Sequence, residues 1–231
     1  MGSRMQPHPQ PPRGLCINLA RRPDRWAHFQ RQQMNPAMGG FFARTARFEA
    51  VDGAATAPPG LAKPEAGALG CTLSHIGALE QLVSTDPTPG PNELLMVLED
   101  DLQITNPPLL QTLVRSLPAL AASTDWMVFL LTASSGTTSP LPSGSRLTPI
   151  RIVRIKQAES GTGYIIRARH VPALIEVFQR SARELEAGQP RSGAALDSTW
   201  RPLQEQQPFV CFQDMLATQR VSHSDNEQRV M

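Results

Sequence analysis

The sequence predicts an α/β fold, a single domain with a mainly parallel sheet flanked by helices. Short apolar runs of strand length alternate with longer segments whose apolar residues recur at helical spacing. Stretches rich in proline and glycine separate these segments. The 231 residues, 40% of them hydrophobic, are enough for one sizeable core. We assign residues 14–231 to this domain, and the polar, proline-rich residues 1–13 to a disordered tail or an expression remnant.

The first elements predicted are a strand, a helix and a second strand. The apolar run at 15–19 is typical of a buried strand. Pro23 favours a helix over 24–33, because proline fits the first helical turn. A second strand is predicted at 48–51, closed by the turn pair Asp52 and Gly53.

The next segment predicts a loop, a helix and a central strand. Prolines indicate a loop over 54–67. Thr72 is a possible N-cap of the helix that follows. The apolar residues at helical spacing in this helix are Leu73, Ile76, Leu79, Leu82 and Val83. After a loop at 86–92, the apolar run 94–98 predicts a buried strand.

The second half of the chain predicts two helices and four strands. One helix covers 109–120 and is ended by Pro118, and the longest amphipathic helix covers 171–185. The Ser-, Thr-, Gly- and Pro-rich stretch 132–149 predicts a mobile loop that could act as a lid. The predicted strands are 126–131, 150–155, 163–166 and 209–212.

Composition excludes several functional classes. The net charge of +2 gives no electrostatic basis for binding nucleic acid. No apolar run approaches the roughly 20 residues that span a bilayer, and no signal segment is present. Three distant cysteines argue against a disulfide framework and against a CxxC zinc site. We therefore expect a cytoplasmic protein, or one from the secretory lumen if the sequence is truncated.

The strand at 94–98 runs directly into three carboxylates, Glu99, Asp100 and Asp101. In open α/β sheets, ligands bind beyond the carboxyl ends of the strands. Side chains at i and i+2 of an extended chain point the same way, so Glu99 and Asp101 would face one site and Asp100 the other side. Mg²⁺ or Mn²⁺ bound there would relieve the repulsion. The alternative is a surface turn whose acids cap the next segment or pair with arginines.

Four stretches in order carry a family resemblance: INLARRPDR (17–25), RFEAVDG (47–53), GALGCTLSH (67–75) and VLEDD (97–101). They resemble motifs of glycosyltransferase family 25, the lipopolysaccharide and procollagen galactosyltransferase-like group. Weaker matches follow at 161–176 and 222–225. The resemblance implies a GT-A-like, Rossmann-type fold. It also implies transfer of a hexose, galactose or glucose, from a UDP-sugar to a glycan or other hydroxyl acceptor, with inversion.

In this family context, Glu99 and Asp101 would hold the metal, with His223 as a third ligand, and Asp100 would bind ribose or brace the ligands. A lone His in a polar tail is also simply solvent-exposed. The residues that would contact the nucleotide sugar are Asn18, Arg21, Arg22, Asp52, Gly53, Ser74 and His75. The structural alternatives are a hydrogen bond from Asn18 to the following turn, a solvated basic turn for the arginines and a type I turn for Asp52 and Gly53. For Ser74 and His75 the alternative is helix capping with a packed histidine.

Inverting transfer needs a base for the acceptor hydroxyl, for which a carboxylate is the usual choice. Asp197 is the first candidate and Glu159 the competing one, with Trp200 available to stack on a sugar. The alternative is a capping Asp197 and a core Trp200. Two other functions stay open: sugar-nucleotide or partner binding without turnover, and an unrelated metal-dependent phosphoesterase or nuclease.

Overall fold

The computed structural model describes residues 10–133, 135–145, 147 and 151–220. Within this part of the chain an eight-stranded sheet lies between two layers of helices. The strands are β1 (Arg13–Asn18), β2 (Thr45–Glu49), β3 (Leu94–Glu99), β4 (Leu102–Ile104), β5 (Val128–Leu130), β6 (Thr137–Pro140), β7 (Ile152–Lys156), β8 (Gly163–Arg167), β9 (Phe209–Phe212) and β10 (Ala217–Gln219). The helices are α1 (Pro23–Met34), α2 (Gly39–Phe42), α3 (Gly53–Thr56), α4 (Lys63–Ser84), α5 (Pro107–Ala122), α6 (Val171–Glu186), α7 (Arg191–Ala194), α8 (Leu196–Thr199) and α9 (Arg201–Gln206).

The sheet confirms the α/β class but not a mainly parallel arrangement. Its strand order is β2-β1-β3-β8-β5-β9-β7-β6. β1 pairs in parallel with β2 and β3, and β5 with β9, whereas β8 runs antiparallel between β3 and β5. β7 pairs antiparallel with β6 and β9. Strand direction was mispredicted because apolar periodicity reports burial and carries no information on direction.

Both faces of the sheet are buried, and successive residues of β3 face opposite layers. Leu95 and Val97 pack in the cluster that contains α4 and α6. Met96 and Leu98 pack in the cluster that contains α1 and α5. Burial on both sides explains why β3 reads as a continuous apolar run instead of an alternating one.

Helix α4 begins earlier than predicted. It starts at Lys63 with a proline in its first turn, so the predicted loop at 54–67 is in fact α3, a short connection and the start of α4. Thr72 is not an N-cap but lies inside α4, where its hydroxyl is 3.3 Å from that of Ser181. The prolines in this segment were interpreted as loop signals, although proline is also favoured in the first turn of a helix.

Other boundaries shift for identifiable reasons. Pro118 does not end α5, because flanking Leu117 and Leu120 are buried in the core and their burial offsets the lost backbone hydrogen bond. Arg13, placed in the predicted tail, begins β1. The predicted loop at 132–149 contains β6, and several of its residues lie outside the described part of the chain. Among the described helices, none is both long and apolar enough to cross a membrane.

Two glycines allow α3 to lie directly on α4. A Cβ on Gly53 would stand 1.8 Å from the carbonyl oxygen of Ala66, and a Cβ on Gly70 would stand 2.5 Å from the amide nitrogen of Gly53. Neither contact can be relieved by rotating a side chain, because backbone atoms form the other side. This close approach fixes the segment that follows β2 against α4.

Gly53→Ala should therefore lower the free energy of unfolding by about 3 kcal/mol, because backbone must move to admit the methyl group. The matched control is Gly40→Ala in α2, where an added Cβ meets nothing within 4 Å. That variant should be neutral or more stable by up to about 1 kcal/mol, since alanine favours helix. Urea unfolding of both variants measures the difference; equal midpoints would contradict the packing argument.

Candidate functional site

Strand β3 ends at Glu99, and Asp100 and Asp101 form the turn that leads into β4. We call residues 99–101 the acidic turn. Because the backbone turns after Glu99, the alternation of an extended strand does not apply, and the predicted opposite orientation of Asp100 is wrong. Both aspartates share Arg25 and line the same cavity as Glu99.

The two aspartates are buried and tied to three other segments. Asn18 Nδ2 donates to Asp100 Oδ2 at 2.5 Å. Arg25 Nη1 donates to Asp100 Oδ1 at 3.1 Å and to Asp101 Oδ2 at 3.2 Å. Gln219 Nε2 also donates to Asp101 Oδ2, at 3.0 Å. The second carboxylate oxygen of Asp101, Oδ1, is buried and accepts no hydrogen bond from the residues that the structure describes.

Burial dominates the protonation of the acidic turn. It raises the pKa of Asp101 to about 7, with the nearby negative charge of Glu99 adding to the effect. Burial also raises the pKa of Asp100, although Asn18 and Arg25 oppose it. For Glu99 the raising effect of burial is outweighed by its hydrogen bonds and by the charge of His75, so its pKa lies below the ordinary value. Glu99 therefore keeps its negative charge to a lower pH than Asp101 does.

The carboxylate of Glu99 contacts two side chains of α4. His75 Nε2 lies 3.2 Å from Glu99 Oε1, and the Cys71 thiol donates to the same oxygen at 3.6 Å. His75 Nδ1 is 3.1 Å from the hydroxyl of Tyr164, and the two rings stack. Burial and the charge of Glu99 raise the pKa of the Cys71 thiol well above its usual range.

Ser74 and His75 were predicted near a helix start, where free backbone N–H groups would bind phosphate. They lie in the middle of α4, so that prediction is wrong. The Ser74 hydroxyl donates to the carbonyl of Gly70 at 2.6 Å and accepts from the Val51 amide at 2.8 Å. Ser74 thus joins α4 to the segment after β2, and His75 is fully buried.

Asn18 is also structural. Its side chain is buried, and its amide donates to the Arg22 carbonyl as well as to Asp100. Its oxygen accepts from Arg47 Nε at 2.8 Å. The predicted contact between Asn18 and a nucleotide is replaced by the alternative, in which it orders the turn after β1.

Two cavities meet at Glu99. The first, which we call the arginine cavity, has a volume of about 910 Å³ and is lined by Arg21, Arg22, Arg25, residues 50–54 and the acidic turn. The second, the carboxylate cavity, has a volume of about 630 Å³ and is lined by Glu159, Asp197 and residues 215 and 217–219, among others. The three residues that line both are Cys71, Glu99 and Gln219.

The arginines after β1 stand at the arginine cavity in ion pairs. Arg21 Nε donates to Asp52 at 3.0 Å, and Asp52 also accepts from the Ala54 amide, capping α3. Arg22 holds Asp24 through two hydrogen bonds, which lower the pKa of that carboxyl to about 2. Asp52 therefore caps a short helix at the rim of this cavity, where the alternative had predicted a type I turn.

The structure separates the two base candidates. Asp197 lies in α8, partly exposed to the carboxylate cavity, and burial and the charge of Glu99 raise its pKa. Glu159 lines the same cavity but is paired with Arg201. Trp200 is fully buried, with its indole N–H donating to the Ala158 carbonyl at 2.9 Å, so it cannot stack on a sugar. His223 lies outside the described residues.

A divalent cation fits the acidic turn by charge. Asp100 and Asp101 share the one guanidinium of Arg25, and Glu99, the third carboxylate, contacts His75. The buried, unpartnered Oδ1 of Asp101 is an available oxygen ligand. Across the described residues, however, only Cys71, His75 and Glu99 bring three metal-ligand atoms within 4.8 Å of one another. A hard cation at the turn would need further oxygens from substrate or water.

Several residues of this site were missed from sequence. Arg25 bridges the two aspartates, Gln219 reaches Asp101 from β10, and Tyr164 supports His75. Arg25 had a signal, since it ends the motif at 17–25, but its contact with both aspartates was not predicted. Gln219 had none, because the antiparallel pairing of β10 with β4 brings it there.

Comparison with known proteins adds no assignment. Neither a scan against protein-family models nor a search of curated proteins found a match for this chain.

The acidic turn should make stability depend on pH. Because the pKa of Asp101 is about 7 in the folded chain, against 3.8 ordinarily, the folded state holds a proton that the unfolded state has lost. Its contribution to stability should therefore fall as the pH rises from about 4 to about 7, by about 4 kcal/mol at most. Asp101→Asn, which cannot ionise, should lack this fall.

Urea unfolding across this pH range tests the expectation. The matched control is Asp214→Asn, an exposed aspartate 3.8 Å from Arg151, which should follow the wild-type profile. Parallel profiles for Asp101→Asn and wild type would show that Asp101 does not titrate as described.

Proposed function

We propose that this protein is a glycosyltransferase that transfers a hexose, galactose or glucose, from a UDP-sugar to an acceptor hydroxyl, with inversion and with a divalent metal, in a GT-A-like fold. The observation that carries the proposal is the meeting of two cavities at one carboxylate, that of Glu99. A transferase must bind two substrates and bring their reacting atoms together, and the junction at Glu99 offers such a place. The resemblance to glycosyltransferase family 25 supports the same function.

The arginine cavity suits the nucleotide sugar. Arg21 and Arg22 line it, and guanidinium groups match the oxygens of phosphates in shape and charge. Both arginines are already paired with aspartates, so a diphosphate would exchange one anion for another. In this proposal Asp52 and Gly53 form the rim of the donor site, while Asn18 and Ser74 act as supports.

The acidic turn would hold Mn²⁺ or Mg²⁺ through Glu99 and Asp101, with the diphosphate completing the ligands. Bound there, such a cation stabilises the negative charge that develops on the departing diphosphate. Asp100 would brace the turn through Asn18 and Arg25. The charge surplus of the turn and the unpartnered oxygen of Asp101 support this arrangement.

The carboxylate cavity would take the acceptor. Asp197 is the better base, because Glu159 is neutralised by Arg201 whereas Asp197 faces the negative charge of Glu99. A raised pKa makes a carboxylate a stronger base near neutral pH. Asp197 would accept the hydroxyl proton as that oxygen bonds to the anomeric carbon, and the bond to the phosphate oxygen breaks with its electron pair leaving on UDP.

A second candidate function is sugar-nucleotide binding without turnover. It is favoured by Arg25, whose guanidinium already satisfies one oxygen on each aspartate where a metal would otherwise be needed. A panel of nucleotide sugars with Mn²⁺, scored for release of nucleoside diphosphate, tests the proposed transfer. Binding of UDP with no release from any donor, with or without candidate acceptors, would favour this second function.

Asp101→Asn should reduce turnover by about a hundred- to a thousandfold, because one electrostatic contact to the leaving group is weakened. UDP should raise the Tm of the wild type more in Mn²⁺ than in EDTA, and this difference should be smaller in the variant. Asp214→Asn again serves as the control and should keep both quantities. Wild-type turnover in Asp101→Asn would exclude a metal role for the acidic turn.

Asp197→Asn separates catalysis from binding. Because Asp197 is the proposed base, this substitution should lower kcat by about a hundred- to ten-thousandfold. The affinity for UDP should stay near wild type. Glu159→Gln is the matched comparison on the same cavity and should reduce kcat far less. If the two effects are reversed, Glu159 is the base and its ion pair with Arg201 must open during the reaction.

A further inference from the structure

We propose that Cys71, His75 and Glu99 form a binding site for Zn²⁺ or a similar borderline-soft divalent cation. The site differs in ligand type from the hard-cation site proposed at the acidic turn and shares only Glu99 with it. The inference goes beyond the proposed transferase function, because it requires neither a nucleotide nor turnover. It is carried by four features: ligand spacing, support behind the histidine, an open side and the chemistry of the donor atoms.

The ligand atoms already have the spacing of a zinc site. A tetrahedral zinc ion with ordinary bond lengths places nitrogen and oxygen ligands about 3.4 Å apart, and sulfur and oxygen ligands about 3.6 Å apart. Glu99 Oε1 lies 3.2 Å from His75 Nε2 and 3.6 Å from Cys71 Sγ, and all three atoms lie within 4.8 Å of one another. Two of the three ligand pairs thus already have the separation that zinc requires, and a cation can replace the protons that lie between them.

The backbone fixes these ligands from two elements. Cys71 and His75 are four residues apart on α4, which places them on one helix face, and Glu99 ends the neighbouring strand β3. Glu99 is further held by its amide, which donates to the Thr162 carbonyl at 2.8 Å. The pocket between helix and strand is thus preorganised in the folded chain.

His75 has the support that metal-binding histidines use. Its Nδ1 lies 3.1 Å from the Tyr164 hydroxyl, and both side chains are fully buried. A metal-ligating histidine typically donates its second ring N–H to such a partner, which fixes the tautomer and the ring orientation. With Nδ1 held in this way, a cation that displaces the proton between His75 Nε2 and Glu99 Oε1 meets the lone pair of Nε2.

The cluster is open where a fourth ligand is needed. Cys71 and Glu99 line both the arginine cavity and the carboxylate cavity, whereas His75 is enclosed. A cation can enter from either cavity and keep one position for water, and the thiol proton of Cys71 can leave by the same route. Three protein ligands and one open position is the arrangement of catalytic zinc sites.

Donor chemistry separates this site from the acidic turn. Thiolate and imidazole select Zn²⁺ over Mg²⁺ and Mn²⁺, whereas carboxylates and water suit the harder cations. Because Glu99 belongs to both ligand sets, a zinc ion held by Cys71 and His75 withdraws it from the acidic turn. Zn²⁺ should consequently oppose binding of the hard cation.

Cobalt provides the test, since Zn²⁺ has no visible spectrum. The reduced wild-type chain is titrated with Co²⁺. It should show a thiolate-to-cobalt charge-transfer band and the strong visible bands of four-coordinate cobalt. Zn²⁺ should then abolish these bands at one equivalent per chain. Absence of the charge-transfer band in the folded wild type overturns the proposal.

Variants locate the site. Cys71→Ser should lose the charge-transfer band and bind Zn²⁺ at least about a hundredfold more weakly, since loss of an outer-shell partner alone costs about 10–100-fold. Tyr164→Phe should keep the band with affinity reduced by about 10–100-fold. Cys211→Ala, which removes a buried thiol in β9, is the matched control and should retain both band and affinity.

Two further variants keep the result decisive. Asp101→Asn should change the affinity for Zn²⁺ far less than Cys71→Ser does, which separates this site from the acidic turn and from the proposed transfer reaction. Glu99→Gln should weaken Zn²⁺ binding, and it replaces Cys71→Ser if circular dichroism shows that the latter does not fold. A band that survives Cys71→Ser, or that disappears in Cys211→Ala, would overturn the proposal.

Discussion

The folded chain is organised around the burial of adjacent carboxylates at the end of β3. Asp100 and Asp101 are only 5% and 4% exposed, and such charges are tolerated only when they are paired and hydrogen-bonded. Their partners come from separate segments: Asn18 ends β1, and Arg25 lies in the first turn of α1. Removing one partner of a buried ion pair typically costs about 3–5 kcal/mol, so this turn constrains where β1 and α1 must lie.

The same turn binds the end of the described chain. Gln219 donates to the side chain of Asp101, and the Arg220 amide donates to its backbone carbonyl at 2.7 Å. β10 pairs with β4 immediately after the turn, so a segment more than a hundred residues away in sequence closes one side of both cavities. The geometry of the junction therefore depends on long-range pairing as much as on β3.

Sequence reasoning identified much of this region and missed its arrangement. The apolar run before Glu99 predicted a strand, and β1, α1, α6 and β9 were found near their true positions, because periodicity and proline placement are local signals. The shared orientation of Asp100 and Asp101 depends on where the strand ends. Extending the strand by one residue would turn the next side chain to the opposite face. The contact between Cys71 and Glu99 was not predicted, because the two residues come from different elements.

The tryptophans divide between the two layers of the sheet. Trp126 lies in the layer of α5, with the Arg167 guanidinium 4.8 Å from its ring, and Trp200 lies in the opposite layer against Tyr164 and Phe209. Each side of the molecule thus contains its own buried fluorophore, and the third, Trp26, is partly exposed on α1. Variants that keep one tryptophan at a time would report on the solvent exposure of each layer separately. The folding cooperativity of the two layers is therefore open to direct spectroscopic observation without an attached label.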